Sequence, residues 1–169
     1  MMRFLLLLVG LACLLPAASA FGDSFRYEFP RLLNLTLEKM ASPESGVQAV
    51  AIRLESRLGT LKDLQLFATC SPDLAIDGLA SSVNPLDEGQ PFVCTFSARL
   101  SGGKPDELGT WVRLGVTYVP DYDRLIQAVS NVASFPDHPE RQRMIDIARK
   151  NSLSKKPYTD ATRLFLESR

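Results

Sequence analysis

The sequence predicts an antiparallel β-sandwich followed by a C-terminal helical tail. Three observations carry that expectation. Apolar and polar residues alternate with period two in several runs between residues 33 and 119. Clusters of Gly, Pro, Ser, Asn and Asp separate those runs, as turns do. After Pro120 the spacing of apolar residues changes to that of a helix.

The opening stretch, MMRFLLLLVGLACLLPAASA, lies outside that pattern. Arg3 precedes an apolar run from Phe4 to Leu15, and Pro16 breaks the run. Ala18-Ser19-Ala20 then supplies the small residues of a signal-peptidase site. The run falls short of the about 20 apolar residues a spanning helix requires. A cleaved signal peptide over residues 1–20 is therefore expected, in preference to an uncleaved anchor. Cys13 raises lipidation, but Gly10 stands where a larger aliphatic is wanted, and the apolar run continues past the cysteine. The expected mature chain starts at Phe21 and is exported to the periplasm or the extracellular space, with no transmembrane segment of its own.

The first strand reads from LLNLTLEKM, where Leu33, Leu35 and Leu37 alternate with Asn34, Thr36 and Glu38. In VQAVAIRLESR, Val50, Ile52 and Leu54 oppose Arg53 and Glu55. LQLFATC places Leu64, Leu66, Ala68 and Cys70 on one face, with Gln65 and Thr69 on the other. PFVCTFSARL aligns Phe92, Cys94, Phe96, Ala98 and Leu100 against Thr95, Ser97 and Arg99. TWVRLGVTYV sets Val112, Leu114, Val116 and Tyr118 against Arg113 and Thr117. The turns between them are SPESG, LGT, NPLDEGQP and SGGKPDELG. Half-buried antiparallel strands divided in this way indicate a sandwich.

Cys70 and Cys94 both fall on the apolar phase of their strands, and they are the cysteines left once the leader is removed. In an oxidising compartment an even count reads as a disulfide. Closing a loop of about 25 residues would stabilise the fold by roughly 3.5 kcal/mol on the chain-entropy view. A redox pair or metal site is the rival, but there is no CxxC and His138 is the single histidine.

Downstream, DYDRLIQAVSNV places Tyr122, Leu125, Ile126 and Val129 at helical spacing. In DHPERQRMIDIARKN, Asp137 can cap, Pro139 suits the first turn and Glu140 completes a capping box. Met144, Ile145 and Ala148 form a narrow apolar stripe, and Asp146 can pair with Lys150. The stripe is expected to pack back on the sandwich, since a membrane helix would need a wider apolar face and a purer basic one. YTDATRLFLES reads equally as a short helix or an edge strand. The expected organisation is a leader over 1–20, a sandwich over 21–120 and a tail over 121–169.

Charge narrows the partners. The chain carries 19 basic and 19 acidic residues, and losing Arg3 with the leader leaves 18 basic against 19 acidic. That near-neutral balance argues against nucleic acid, which requires a basic footprint, and against electrostatic docking on anionic lipid.

The order AIRLESRLGTLKDLQLFATCSPDLAI, VNPLDEGQPFVCTFSARL and GTWVRLGVTYVPD, over about residues 47–120, resembles the immunoglobulin-like modules of bacterial exported proteins, the cell-adhesion-related and NEW3-type group. In that resemblance PLDEGQPFVCTF is the module's turn and following strand. It implies an immunoglobulin-like sandwich that presents a surface or spaces other domains, with no shared catalytic set. The expected disulfide, the helical tail and the lack of a surrounding array depart from that group.

Few residues offer chemistry. His138 lies in the polar connector FPDHPERQ with no GxSxG nearby, so it reads as a surface histidine. Asp121 and Asp123, with Asp106, Glu107 and Asp137, could gather round calcium if their loops converged, although PDYD is also a helix-start signal. Asn34-Leu35-Thr36 is a glycosylation sequon, relevant only in a eukaryotic source. Trp111, Tyr118 and Tyr122 could form a sugar-stacking platform, but Trp111 and Tyr118 fit the core better. No glycine-rich phosphate loop is present, and no cofactor or metal is expected.

Three functions remain. The first is a non-catalytic exported module that binds another exported or envelope protein through a sheet edge or the helical tail. The second is a carbohydrate- or small-ligand-binding module. A hydrolase comes last, for want of a catalytic constellation. A two-domain periplasmic chaperone is disfavoured because the chain holds one sandwich.

Overall fold

The computed structural model describes residues 30–42, 44–105, 107–131 and 139–166. The leader, its cleavage site, Asp106, Asp137 and His138 lie outside the described residues. In chain order the strands are β1 (Leu33–Met40), β2 (Val47–Ser56), β3 (Lys62–Cys70), β4 (Leu74–Asp77), β5 (Ser82–Val83), β6 (Phe92–Leu100) and β7 (Trp111–Val119). Two helices follow, α1 (Tyr122–Ser130) and α2 (Pro139–Leu153), and then β8 (Tyr158–Phe165).

These strands form two four-stranded sheets, ordered β1-β2-β6-β4 and β5-β3-β7-β8. Every pairing is antiparallel. With β3-β7-β8 as the second sheet, this is the strand order of an immunoglobulin constant-type sandwich. The short β5 and the helices between β7 and β8 are additions to it.

Alternation explains the core. Val50, Ile52 and Leu54 of β2 and Leu64, Val112, Leu114 and Val116 of the facing sheet are fully or almost fully buried. Each such side chain contributes roughly 1.5–3 kcal/mol relative to exposure. The helices complete the same core with Tyr122, Leu125 and Val129 from α1 and Met144, Ile145 and Ala148 from α2.

Asp121 caps α1, its Oδ1 accepting from the Arg124 backbone N at 3.1 Å. The turn between β2 and β3 abuts this helix start. At Gly59, φ is +63° and an added Cβ would lie 2.7 Å from Asp121 Cβ, so both backbone and space require glycine. On α2, Asp146 accepts from Gln142 Nε2 at 2.8 Å and meets Arg149 at 4.0 Å. The expected partner Lys150 is replaced by Arg149, at the i,i+3 position.

The segment left open between helix and strand is an edge strand. β8 pairs along β7 from Trp111↔Phe165 to Tyr118↔Tyr158. It is fastened by the Tyr158 ring stacked 6.4 Å from Tyr118 and by Tyr118 Oη donating to Asp160 Oδ2 at 2.7 Å. The tail therefore returns to the sandwich as a strand, and the helices are an insertion before it. No helix among the described residues is long and apolar enough to cross a membrane.

Candidate functional site

The two cysteines come first, because the fold separates them. Cys70 ends β3 in one sheet, and Cys94 lies within β6 of the other. Cys70 Sγ donates to Leu74 O at 3.3 Å. Leu74 pairs with Leu100, which lies six positions along β6 from Cys94. At about 3.3 Å per residue the cysteines stand on the order of 20 Å apart along the sandwich, while a disulfide needs Cα atoms within about 7 Å. The expected bridge is absent, and both thiols are free. Both cysteines keep the inward phase of their strands but stand at different heights along the sandwich. Burial pushes both thiols above their ordinary range, helped at Cys70 by the nearby Asp73 charge.

Beside Cys70 lies a buried polar clasp. Thr110 Oγ1 donates to Asp73 Oδ2 at 2.6 Å, and Asp73 is only 4% exposed. Burial alone would raise the Asp73 carboxyl, but hydrogen bonding from Ser71, Thr110 and its own backbone outweighs that and holds it low. Buried Ser71 exchanges bonds with the Trp111 backbone: Ser71 N donates to Trp111 O at 3.0 Å, and Trp111 N donates to Ser71 Oγ at 3.0 Å. The clasp thus fixes where β7 begins and how Trp111 is presented.

Trp111 leads to the outer face of the second sheet. Its place at the start of an apolar strand predicts a core position beside Tyr118. Tyr118 and Tyr122 are indeed buried, at 2% and 7% exposure. Trp111 instead takes the outward phase of β7 and is half-buried.

Register arranges this face in rows. Trp111 stands opposite Phe165, Arg113 opposite Arg163, Gly115 opposite Ala161 and Thr117 opposite Thr159. β3 adds Thr69 beside Arg113, Phe67 beside Gly115 and Gln65 beside Thr117. The Arg163 guanidinium carbon lies 4.7 Å from the Trp111 ring centroid and 6.0 Å from that of Phe165. Phe67 lies across Gly115 so closely that a Cβ there would sit 2.2 Å from its Cζ. Phe67 and Phe165 remain 49% and 53% exposed.

Two properties set this face apart. Like charges directly opposite one another destabilise a sheet, yet Arg113 and Arg163 are so placed, with no ion pair to either among the described residues. The other sheet differs: Arg53 meets Glu55 at 3.9 Å and Arg99 meets Asp77 at 3.8 Å. The second property is aromatic exposure beside cations, a composition enriched at protein interfaces.

Part of this was open to reading. Phe67 occupies the polar phase between Gln65 and Thr69, an aromatic where alternation calls for a polar residue. Arg163 and Phe165 lay in the segment of undecided type, so their phase had no meaning before β8 was placed.

Among the described residues the remaining candidates do not converge. Asp121 serves as the α1 cap, Asp123 sits in its first turn, and Glu107 lies in the turn before β7. No group of three or more His, Cys, Asp or Glu among the described residues could share a metal ion. Asn34 is half-buried opposite Glu55, with Thr36 exposed.

No protein-family model matches the chain, and no curated protein matches it.

Proposed function

We propose that this chain is a non-catalytic association module, exported from the cytoplasm, that binds another protein through the outer face of the β5-β3-β7-β8 sheet. The observation that supports this reading is the opposed Arg113–Arg163 pair flanked by exposed Phe67 and Phe165. Setting the two arginines opposite one another costs the sheet stability, so the use of the pairing lies outside the fold.

Edge pairing is the weaker route. β8 lies beside β1, and the opposite flank exposes only the four-residue β4 and two-residue β5. Short edges of this kind discourage strand addition. Sugar stacking is weaker too, because the Arg163 guanidinium already rests over the Trp111 ring. The half-buried thiols lack the low pKa that nucleophilic work requires.

Photocrosslinking in the native setting tests the proposal. A photoreactive side chain at Phe67 or Thr159 should capture one protein. The same group at Val93, on the other sheet, or at Ile147, on α2, should not. Capture only from Val93 or Ile147 would overturn the reading.

A further inference from the structure

We infer that the partner offers this face an extended acidic segment of alternating pattern, apolar-x-acidic-x-apolar. The inference rests on the docking face proposed above and names what that face recognises. Its basis is the match between the spacing of the rows and the repeat of an extended chain.

The Arg113–Arg163 row lies between two apolar ones. Two residues along the strands in one direction stand Trp111 and Phe165; two residues in the other stand Phe67, Gly115 and Ala161. Two residues of strand span about 7 Å. An extended segment lying along the strands repeats its side chains on one side at the same about 7 Å. Its central carboxylate then reaches the guanidiniums while its neighbours on the same side rest on Phe165 and Phe67.

Charge selects the central residue. Directly paired residues of an antiparallel ladder have Cα atoms about 4.5–5.5 Å apart, so Arg113 and Arg163 leave the sheet side by side, and with the Arg163 guanidinium leaning over the Trp111–Phe165 row two cations border the central position. A carboxylate there removes the like-charge repulsion and accepts charge-assisted hydrogen bonds. Arg163 is already oriented by the Trp111 and Phe165 rings, so less freedom is lost on binding. Two cations suit one or two carboxylates. Nucleic acid and anionic membranes call for a larger basic field, and this chain has no net charge.

The protein carries its own reporter, since Trp111 is its single tryptophan. Tryptophan fluorescence of the purified mature protein would be titrated with a Leu-Thr-Glu-Thr-Leu peptide, its Glu→Gln version, a heparin fragment and phosphatidylglycerol vesicles. We expect the glutamate peptide to bind with an affinity that falls as salt rises. Replacing its Glu by Gln, or introducing Arg163→Gln or Arg113→Gln, should weaken binding roughly tenfold or more. Both variants should keep the wild-type unfolding midpoint to within a small shift, since both side chains are exposed.

Equal binding of the two peptides would overturn the inference, as would a preference for heparin or vesicles. Should crosslinking from Phe67 capture a partner that Arg113→Gln and Arg163→Gln still bind normally, the acidic segment falls and the docking face stands. Capture only from Val93 or Ile147 removes both.

Discussion

Asp73 shows how one buried residue couples the fold to pH. Its folded-state pKa lies below the unfolded value of about 3.9. Its contribution is therefore present above about pH 4 and is lost as pH falls through the folded pKa. Asp73→Asn should lower stability at neutral pH and flatten the acid limb of a denaturation series taken down to pH 2. Thr110→Val, which removes the Asp73 donor, should cost about 1–3 kcal/mol by urea denaturation. The tyrosines act at the other extreme. Burial, then the neighbouring Tyr158, pushes Tyr122 up to about 12, and burial with the Asp160 bond raises Tyr118 further. Both favour the neutral phenol in the fold. Their contribution is complete below about pH 10 and fades as pH rises through the folded values. Phenolate absorbance should show these two titrating late, or together with unfolding. For the cysteines, separate thiols behave independently. Cys70→Ala and Cys94→Ala should have additive effects on stability, and alkylation of the unreduced, unfolded protein should label both residues. Recovery of a linked Cys70–Cys94 peptide would contradict the fold described.

At the scale of elements, the outer face of β3, β7 and β8 gives up stability in one place and recovers it in another. Arg113 faces Arg163, so Arg113→Thr should raise stability by about 0.2–1 kcal/mol in urea while weakening partner binding. That opposition of signs is the signature of a residue kept for association. Gly115 is the counterpart, because its missing Cβ leaves room for the end of the Phe67 ring. Gly115→Val should displace that ring and cost about 1–3 kcal/mol, measured by the same denaturation. No change in stability would mean that the ring contributes little to the sheet. Gly59 joins the β2–β3 turn to α1, so Gly59→Ala meets both an unfavourable φ and the Asp121 side chain.

For the whole molecule, the decisive feature is that the chain comes back. β8 covers the edge of β7 along its length and places Leu164 and Leu166 against the core. A chain truncated after residue 153 loses that strand and leaves Tyr118 without Asp160. It should fail to show cooperative thermal unfolding, although every strand of the expected 21–120 sandwich is still present. A soluble, cooperatively unfolding fragment would show that β8 is an accessory. The helices, buried through Leu125, Val129 and Ala148, are then best regarded as a cap over the core.

Alternation and turn chemistry were enough to establish the sandwich, most of the inward set of each long strand, with Leu100 the exception at 58% exposure, and the helices that follow β7. These properties are local: a side chain's face depends on the parity of its own strand, and a helix start on the few residues around Asp121. The short β4 and β5 carried too few residues to declare a period. Whether Cys70 could meet Cys94 was a question of height along two strands in different sheets, and parity says nothing about height. Only the pairing of Leu74 with Leu100 placed them at separate levels. The candidate site divides in the same way. Phe67 and Arg113 were outward by parity alone, but Arg163 and Phe165 acquired a side only when β8 paired with β7. The opposed arginines, the ring beneath Arg163 and the rows about them are products of register, which arises between strands distant in sequence and therefore belongs to the tertiary structure.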